Sequence, residues 1–209
     1  HGIPARRAYN GVDFDYYKPL NIPRTDRFLF LARFSSIKGA DIAIEACKQA
    51  GVGLDLVGDT SLTAEPDFLA KCQSMADGKQ IRIVGAASRG ECVHYFSQAK
   101  ALIHANQRFR EPFGLAPVEA MGCGCPVIGW NYGAMRETIP HGENGFMRDT
   151  PGYLASSFAE LVKGVEFFRD NQLYPDQREN VRKQAFRFSI EKMITRYEEL
   201  CVEALSGGW

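Results

Sequence analysis

Two glutamates, Glu111 and Glu119, bracket the apolar run PFGLAPV inside REPFGLAPVEAMGCGCPVIGW (110–130). Carboxylates are rarely set beside a segment that wants burial unless something meets them. An ionised carboxylate only accepts hydrogen bonds, so a pair of them facing one crevice suits vicinal hydroxyls, as found on ribose and on hexoses. Gly114, just ahead of the helix start, lets the chain bend so that the N–H groups of Phe113, Gly114 and Leu115 point outward together. Such a concave donor cluster suits a phosphate or a sugar oxygen. Pro117 in the first helical turn costs little, because the early N–H groups have no intrahelical acceptor. Spacing alone leaves open a second reading, with Glu111 solvated in its loop and Glu119 on a helix surface.

A second group of candidates lies in RFSSIKG, where Arg33 follows an apolar run and Lys38 precedes a helical one. Two fixed cations converging on a helix N-terminus make an anion site, to which backbone N–H groups and the helix dipole add. The alternative is that Arg33 caps a nearby carboxylate and Lys38 is solvated. Arg108 and Arg110, directly before Glu111, suit a phosphate or an anionic acceptor, or else a solvated loop. Neither GxGxxG nor GxxxxGK[ST] is present, which disfavours a plain dinucleotide dehydrogenase and a P-loop enzyme. Asp59 after Gly58 reads as a turn residue.

Alternating strands and helices must hold these loops. Strands are expected at 28–33, 53–58, 81–85, 101–105 and 126–130, with helices at 38–50, 65–76, 89–99, 115–121 and 134–139. This alternation is the pattern of βα units around a parallel sheet, whose ligands bind outside the carboxyl ends of the strands. A turn at HGENG and a short strand FMR should follow, and residues from about 153 onward read as helices throughout, the last opened by Ser189 or Glu191. Residues 1–26 carry Pro4, Pro19, Pro23 and Asn10-Gly11 and read as a linker. The start at His1, running straight into ARRAYNGVDFDYYKPL, leads to the expectation of a fragment.

Composition narrows the function classes. The 209 residues hold 25 basic and 25 acidic side chains, so no global field would draw the chain to nucleic acid or to an anionic membrane. No run reaches the length of a spanning helix. The six cysteines show no metal-ligand or disulfide spacing, and reduced thiols in a cytoplasmic protein are expected.

EPFGLAPVEAMGCGCPVI (111–128) resembles the E-x7-E motif of the retaining glycosyltransferases of family 4, whose members pair two Rossmann-like domains in the GT-B arrangement. NGVD (10–13), FLFLARFSSIKGADIAIEA (28–46) and YGAMRETIPHGENGFM (132–147) agree in order and spacing. His104-Ala105 and Arg136-Glu137 depart from the pattern, which makes His104 a structural residue and leaves Glu137 without a role. The resemblance implies a three-layer α/β/α Rossmann-like domain at 27–209, the C-terminal, donor-binding half of such an enzyme, with residues 1–26 as interdomain linker. It implies that Arg33 and Lys38 bind the diphosphate of a UDP-, GDP- or ADP-sugar and stabilise the departing charge. Glu111 would hold the transferred sugar, Phe113, Gly114 and Leu115 would offer backbone N–H groups, and Glu119 would take the ribose. The base would rest at Gly85, Ala86 and Ala87. No metal or other cofactor is expected. The implied partners are the nucleotide sugar and an absent N-terminal acceptor-binding domain, through which alone any peripheral membrane association would arise. Without that domain the chain should bind donor but not turn over. The alternatives are a noncatalytic nucleotide-sugar-binding module and an epimerase or phosphorylase relative.

Overall fold

The computed structural model describes residues 5–60, 65–106, 108–139, 152–171, 173 and 175–207. Short apolar runs supply the strands: β1 (Phe28–Leu31), β2 (Leu54–Val57), β3 (Ile81–Gly85), β4 (Leu102–His104), β5 (Val127–Trp130) and β6 (Gly152–Ala155). They pair in parallel in the order β3-β2-β1-β4-β5-β6. Strands covered on both faces need no polar alternation, and FLFL and VIGW have none. Phe28, Phe30, Leu54 and Leu56 are almost wholly buried, each worth about 1.5–3 kcal/mol of transfer from water.

Helices cover both faces. On one, α1 (Ala40–Gln49), α2 (Pro66–Met75) and α6 (Phe158–Asp170) close over a core holding Phe34, Ile44, Cys47, Cys72 and Val165. On the other, α3 (Arg89–Gln98), α4 (Leu115–Gly122), the short α5 (Met135–Thr138) and α7 (Pro175–Ala185) close over Phe96, Val118, Met121 and Val181. The final helix α8 (Ile190–Leu205) is opened by Ser189, whose hydroxyl accepts from the N–H of Lys192. The fold is therefore the expected three-layer α/β/α arrangement.

Three expectations need correction. Residues 153–155, read as helical, form strand β6 beside β5, and helix starts only at Phe158 behind the cap of Ser157. All four residues of β6 are buried, so the run lacks the alternation that separates a strand from a helix turn. Gly152 is required there, since a Cβ would stand 2.1 Å from the Val127 carbonyl oxygen. The first strand ends at Leu31, before Arg33, and Lys38 closes a 3-10 turn (Ser36–Lys38) instead of opening α1. Gly39, at φ 74°, separates that turn from α1. Residues 10–17 hold no strand or helix, as expected, yet they are packed down: Val12, Phe14 and Tyr17 are buried, and Val12 exchanges backbone hydrogen bonds with Phe188 and Ile190. The HGENG turn and the FMR strand fall outside the described residues.

Candidate functional site

In this strand order β1 and β4 are neighbours, while the chain after β1 goes to one face and the chain after β4 to the other. The crevice at such a switch point is where open α/β sheets take ligands. A cavity of about 470 Å³ lies there, walled by Arg33, Lys38, His104, Glu111 and Glu119 together with the Phe113–Leu115 turn. Loops more than 70 residues apart in sequence thus converge on one space.

Lys38 is placed by its 3-10 turn, whose last N–H bonds to the Ser35 carbonyl at 2.9 Å. Gly39 lets this turn press against the end of β4, where a Cβ would meet the Ala105 carbonyl oxygen at 2.3 Å. The Lys38 Nζ then reaches Glu111 Oε2 at 2.6 Å. Asn106 Nδ2 donates to the same oxygen at 2.9 Å. The Glu111 backbone is fixed from behind, its carbonyl accepting from the N–H of Ala134 at 3.1 Å. Burial alone would raise the Glu111 pKa, but Lys38 as donor and charge, with His104 and Asn106, more than offsets it, and the carboxyl sits below its ordinary value. Arg33, two residues past β1, is exposed at the cavity and forms no ion pair among the described residues.

The turn into α4 has the predicted form. Gly114 sits at φ 82° with the Met135 Cε where its Cβ would be, so no other residue fits without displacement. The N–H groups of Phe113 and Gly114 donate to no backbone carbonyl among the described residues, and that of Leu115 opens the helix. They stand as the free donors the sequence predicts. A tilted contact from Tyr9 and an edge contact from Phe188 steady the Phe113 ring, at 6.1 and 5.3 Å between centroids.

Glu119, one turn into α4, meets a different environment. Burial raises its pKa, opposed by the Tyr17 hydroxyl and by the charge of Arg89. No lysine or arginine forms a direct ion pair with it among the described residues. His104, at the end of β4, is not only structural: it lines the cavity, and its buried Nε2 has no hydrogen-bond partner. Burial, together with the Lys38 charge and against the pull of Glu111, lowers its pKa to about 4. It is a neutral imidazole at pH 7.

The remaining candidates lie elsewhere. Gly85 closes β3 and Ala86 and Ala87 follow it on the same carboxyl edge, but none of the three walls the cavity. They connect to it through closely packed backbone, Gly58 N–H bonding to the Gly85 carbonyl at 2.8 Å and a Gly58 Cβ falling 1.9 Å from the Ala32 oxygen. Arg108 turns to the Ser36 carbonyl and to Asp41, and Arg110 lies over the Tyr132 ring, so neither lines the cavity. Glu137 is taken by Arg7 and Tyr9 at the surface. Sequence reasoning missed Asn106, Tyr17 and Arg89, and nothing local to these residues marks them. Tyr17 and Arg89 act on a glutamate distant in sequence, and Asn106 meets Glu111 only because the loop after β4 folds back on itself. Among the described residues no group of three or more His, Cys, Asp or Glu side chains is placed to hold a metal ion, and no helix is long and apolar enough to cross a membrane.

Comparison with known proteins bears on the family and the fold. The family model described as glycosyl transferases group 1 matches residues 15–187. The N-acetyl-alpha-D-glucosaminyl L-malate synthase of Bacillus anthracis is 31% identical over 214 residues, covering 95% of this chain and 53% of that protein. Anabaena HepE, solved in complex with UDP, superposes with a TM-score of 0.78 at 24% identity, over 94% of this chain and 57% of its own. The C-terminal domain of a Francisella tularensis group 1 glycosyl transferase, LpcC, superposes at 0.61 with 21% identity, over 89% of this chain and 97% of its own. The chain spans about half the length of the curated relatives it matches.

Proposed function

Given that this chain belongs to the glycosyl transferases group 1 family and has the Rossmann-like fold of a GT-B C-terminal domain, we propose that it binds the nucleotide-diphosphate sugar of a retaining hexosyltransferase. The observation that carries this reading is the single cavity in which Arg33, Lys38 and the free N–H groups of Phe113–Leu115 face two glutamates. Cations and helix-end donors take the diphosphate, and the carboxylates take hydroxyls on either side of it. Glu119 holds the ribose and Glu111 the transferred sugar. The base extends along the glycine-lined strand ends toward Gly85, Ala86 and Ala87.

In the transfer step the bond between the anomeric carbon and the diphosphate oxygen breaks as the acceptor oxygen attacks from the same face. The acceptor proton passes to the departing phosphate oxygen. Negative charge grows on the diphosphate, and preorganised donors stabilise it more in the transition state than in the ground state. Arg33, Lys38 and the Phe113–Leu115 amides supply that stabilisation, so the reaction calls for no metal. Glu111, already engaged by Lys38 and Asn106, orients the sugar and is not its nucleophile. The acceptor is bound by a second domain of the full-length protein, and six free cysteines support a cytoplasmic setting.

Titration calorimetry of this chain with UDP, GDP and ADP tests the reading, UDP first because HepE carries it. One of the three should bind with at least micromolar-range affinity. No heat from any of them at millimolar concentration overturns it. With the full-length enzyme, product anomers seen by NMR decide retention.

A further inference from the structure

The amino-terminal edge of the sheet, at the far end of β1 from the donor cavity, holds a second concentration of charge. Arg24, Thr25 and Asp26 lead into β1, and Lys100 stands between α3 and β4. Backbone bonds tie these two approaches together, the Thr25 N–H to the Gln98 carbonyl at 2.9 Å and the Lys100 N–H to the Arg27 carbonyl at 2.8 Å. Arg178 comes in from α7, whose backbone lies against Gly124, where a Cβ would meet the Arg178 carbonyl oxygen at 3.4 Å. Arg24, Asp26, Lys100 and Arg178 wall a cavity of about 210 Å³ together with Thr25 and Asn171. Three cations thus face one carboxylate, in a chain whose formal net charge is zero.

The protein itself matches these cations poorly. Arg24 Nη2 donates to the Ala99 carbonyl, but its Nη1 is buried with no hydrogen-bond partner, and so is Arg178 Nε. The cavity's own carboxylate, Asp26, goes to Lys100 at 3.3 Å and is 98% exposed, a tie that solvent screens and an incoming anion can displace. The neutral groups are already engaged, Thr25 Oγ1 donating to the Gln98 carbonyl at 3.3 Å and Asn171 Nδ2 to the Phe167 carbonyl at 2.9 Å. A buried guanidinium N–H that meets nothing costs more than a neutral one, and in native proteins such groups find an ion or a water. Arginine carries its donors on a long, rotatable stem, so both can turn onto an oxygen placed between them. Donors from three separate elements suit a tetrahedral oxyanion better than a planar carboxylate. We propose that this cavity is an anion site for the phosphate group of a small free molecule, separate from the donor cavity, with Arg24, Arg178 and Lys100 as its donors. The two arginines also wall a neighbouring cavity of about 300 Å³ lined by Leu20, Ile22 and Pro175, which gives room to the rest of an organic phosphate. The proposal stands independently of the reading of the donor cavity.

The test is an NMR titration of the chain with inorganic phosphate, against sodium chloride of equal ionic strength, read at the backbone amides. Those of Thr25, Lys100 and Asn171 should move saturably with phosphate and stay in place with chloride. The same shifts should persist in Arg33→Ala, which weakens the donor cavity as an anion site. In Arg178→Met, which removes the guanidinium and keeps much of its stem, phosphate affinity should fall about 10-fold or more, the size of one lost charge-assisted hydrogen bond. No saturable shift at these amides overturns the proposal, as does equal affinity in Arg178→Met, which marks an adventitious ion only. Shifts confined to Phe113–Leu115 and abolished by Arg33→Ala put the phosphate in the donor cavity and overturn it too. Should Arg178→Met not fold, Lys100→Met reads the same affinity, with a loss expected in the same direction and an undiminished affinity overturning the proposal.

Discussion

The two glutamates of the cavity occupy opposite kinds of ground. Glu111 sits in a loop, bridged to Lys38 at 2.6 Å and to Asn106, and its carboxyl is held below the ordinary value. Glu119 sits one turn into a buried helix, with a phenol and a more distant guanidinium for company, and its carboxyl is raised. A pair of carboxyls driven apart in this way is a pattern known from acid–base catalysis. Here it has a simpler origin. One carboxylate stands beside a lysine and an amide donor, the other is buried without a direct cation; on the proposed function the first shares its cation with an incoming phosphate and the second is left open to neutral hydroxyls. The same residue type, on the same continuous stretch of chain, is assigned two tasks by what the fold brings against it.

That contrast can be attacked from each side. The largest effect is expected at His104, behind the ion-paired corner. Its folded pKa of about 4 lies below the ordinary value of 6.5, so between those values the unfolded chain takes up a proton that the folded chain refuses. The stability this group contributes is complete above pH 6.5 and declines as pH falls toward 4, by about 3 kcal/mol in full. Urea unfolding at pH 7 and pH 4.5 should show His104→Gln losing markedly less stability on acidification than the native chain; equal losses would mean the imidazole is not buried neutral. Next, Glu119→Ala should weaken UDP itself about 30-fold, roughly 2 kcal/mol, the size of one hydrogen bond to a charged acceptor. Arg33→Ala should weaken UDP about 10-fold, with the difference shrinking at high salt because Arg33 is exposed. Smallest is Glu111→Gln on free UDP, within about 3-fold, since on the proposed function this carboxylate meets the sugar and not the nucleotide. With a UDP-sugar that ranking should reverse between the two glutamates. Equal losses for both variants with both ligands, measured by calorimetry, would erase the division of labour.

Much of the fold is legible in the sequence. The strand and helix alternation can be read because each apolar run is bounded by turn residues, and the donor turn because glycine and proline have narrow uses at a helix start. The strand β6 is not legible, since a short run buried on both faces carries no period of its own. Arg33, Lys38, Glu111 and Glu119, singled out by residue type and by the loops they occupy, all line one cavity. The pairing of Lys38 with Glu111 across 73 residues has no local signature, because charge pairing depends on which loops the strand order makes adjacent. Tyr17 escapes for the same reason. It lies in a stretch whose prolines and Asn10-Gly11 read as linker, and only the packed structure shows Phe14 and Tyr17 within it to be buried.

The docking of that leading stretch bears on where the domain can be cut. A chain begun at residue 27 would retain every strand and every helix, and by any count of secondary structure it would be whole. It would also lack the side chains of Val12, Phe14 and Tyr17, each less than 8% exposed. Their burial is worth about 5 kcal/mol or more, a large share of what holds a domain of this size together. The ring of Phe186 would lose its edge contact with Phe14, and Gly122 of α4 would lose the cover of Phe14 and of the Tyr17 carbonyl. The unit that folds and the unit that an alternation of strands and helices outlines are therefore different lengths of polypeptide, and a shortened chain that fails to bind nucleotide would say nothing about the glutamates.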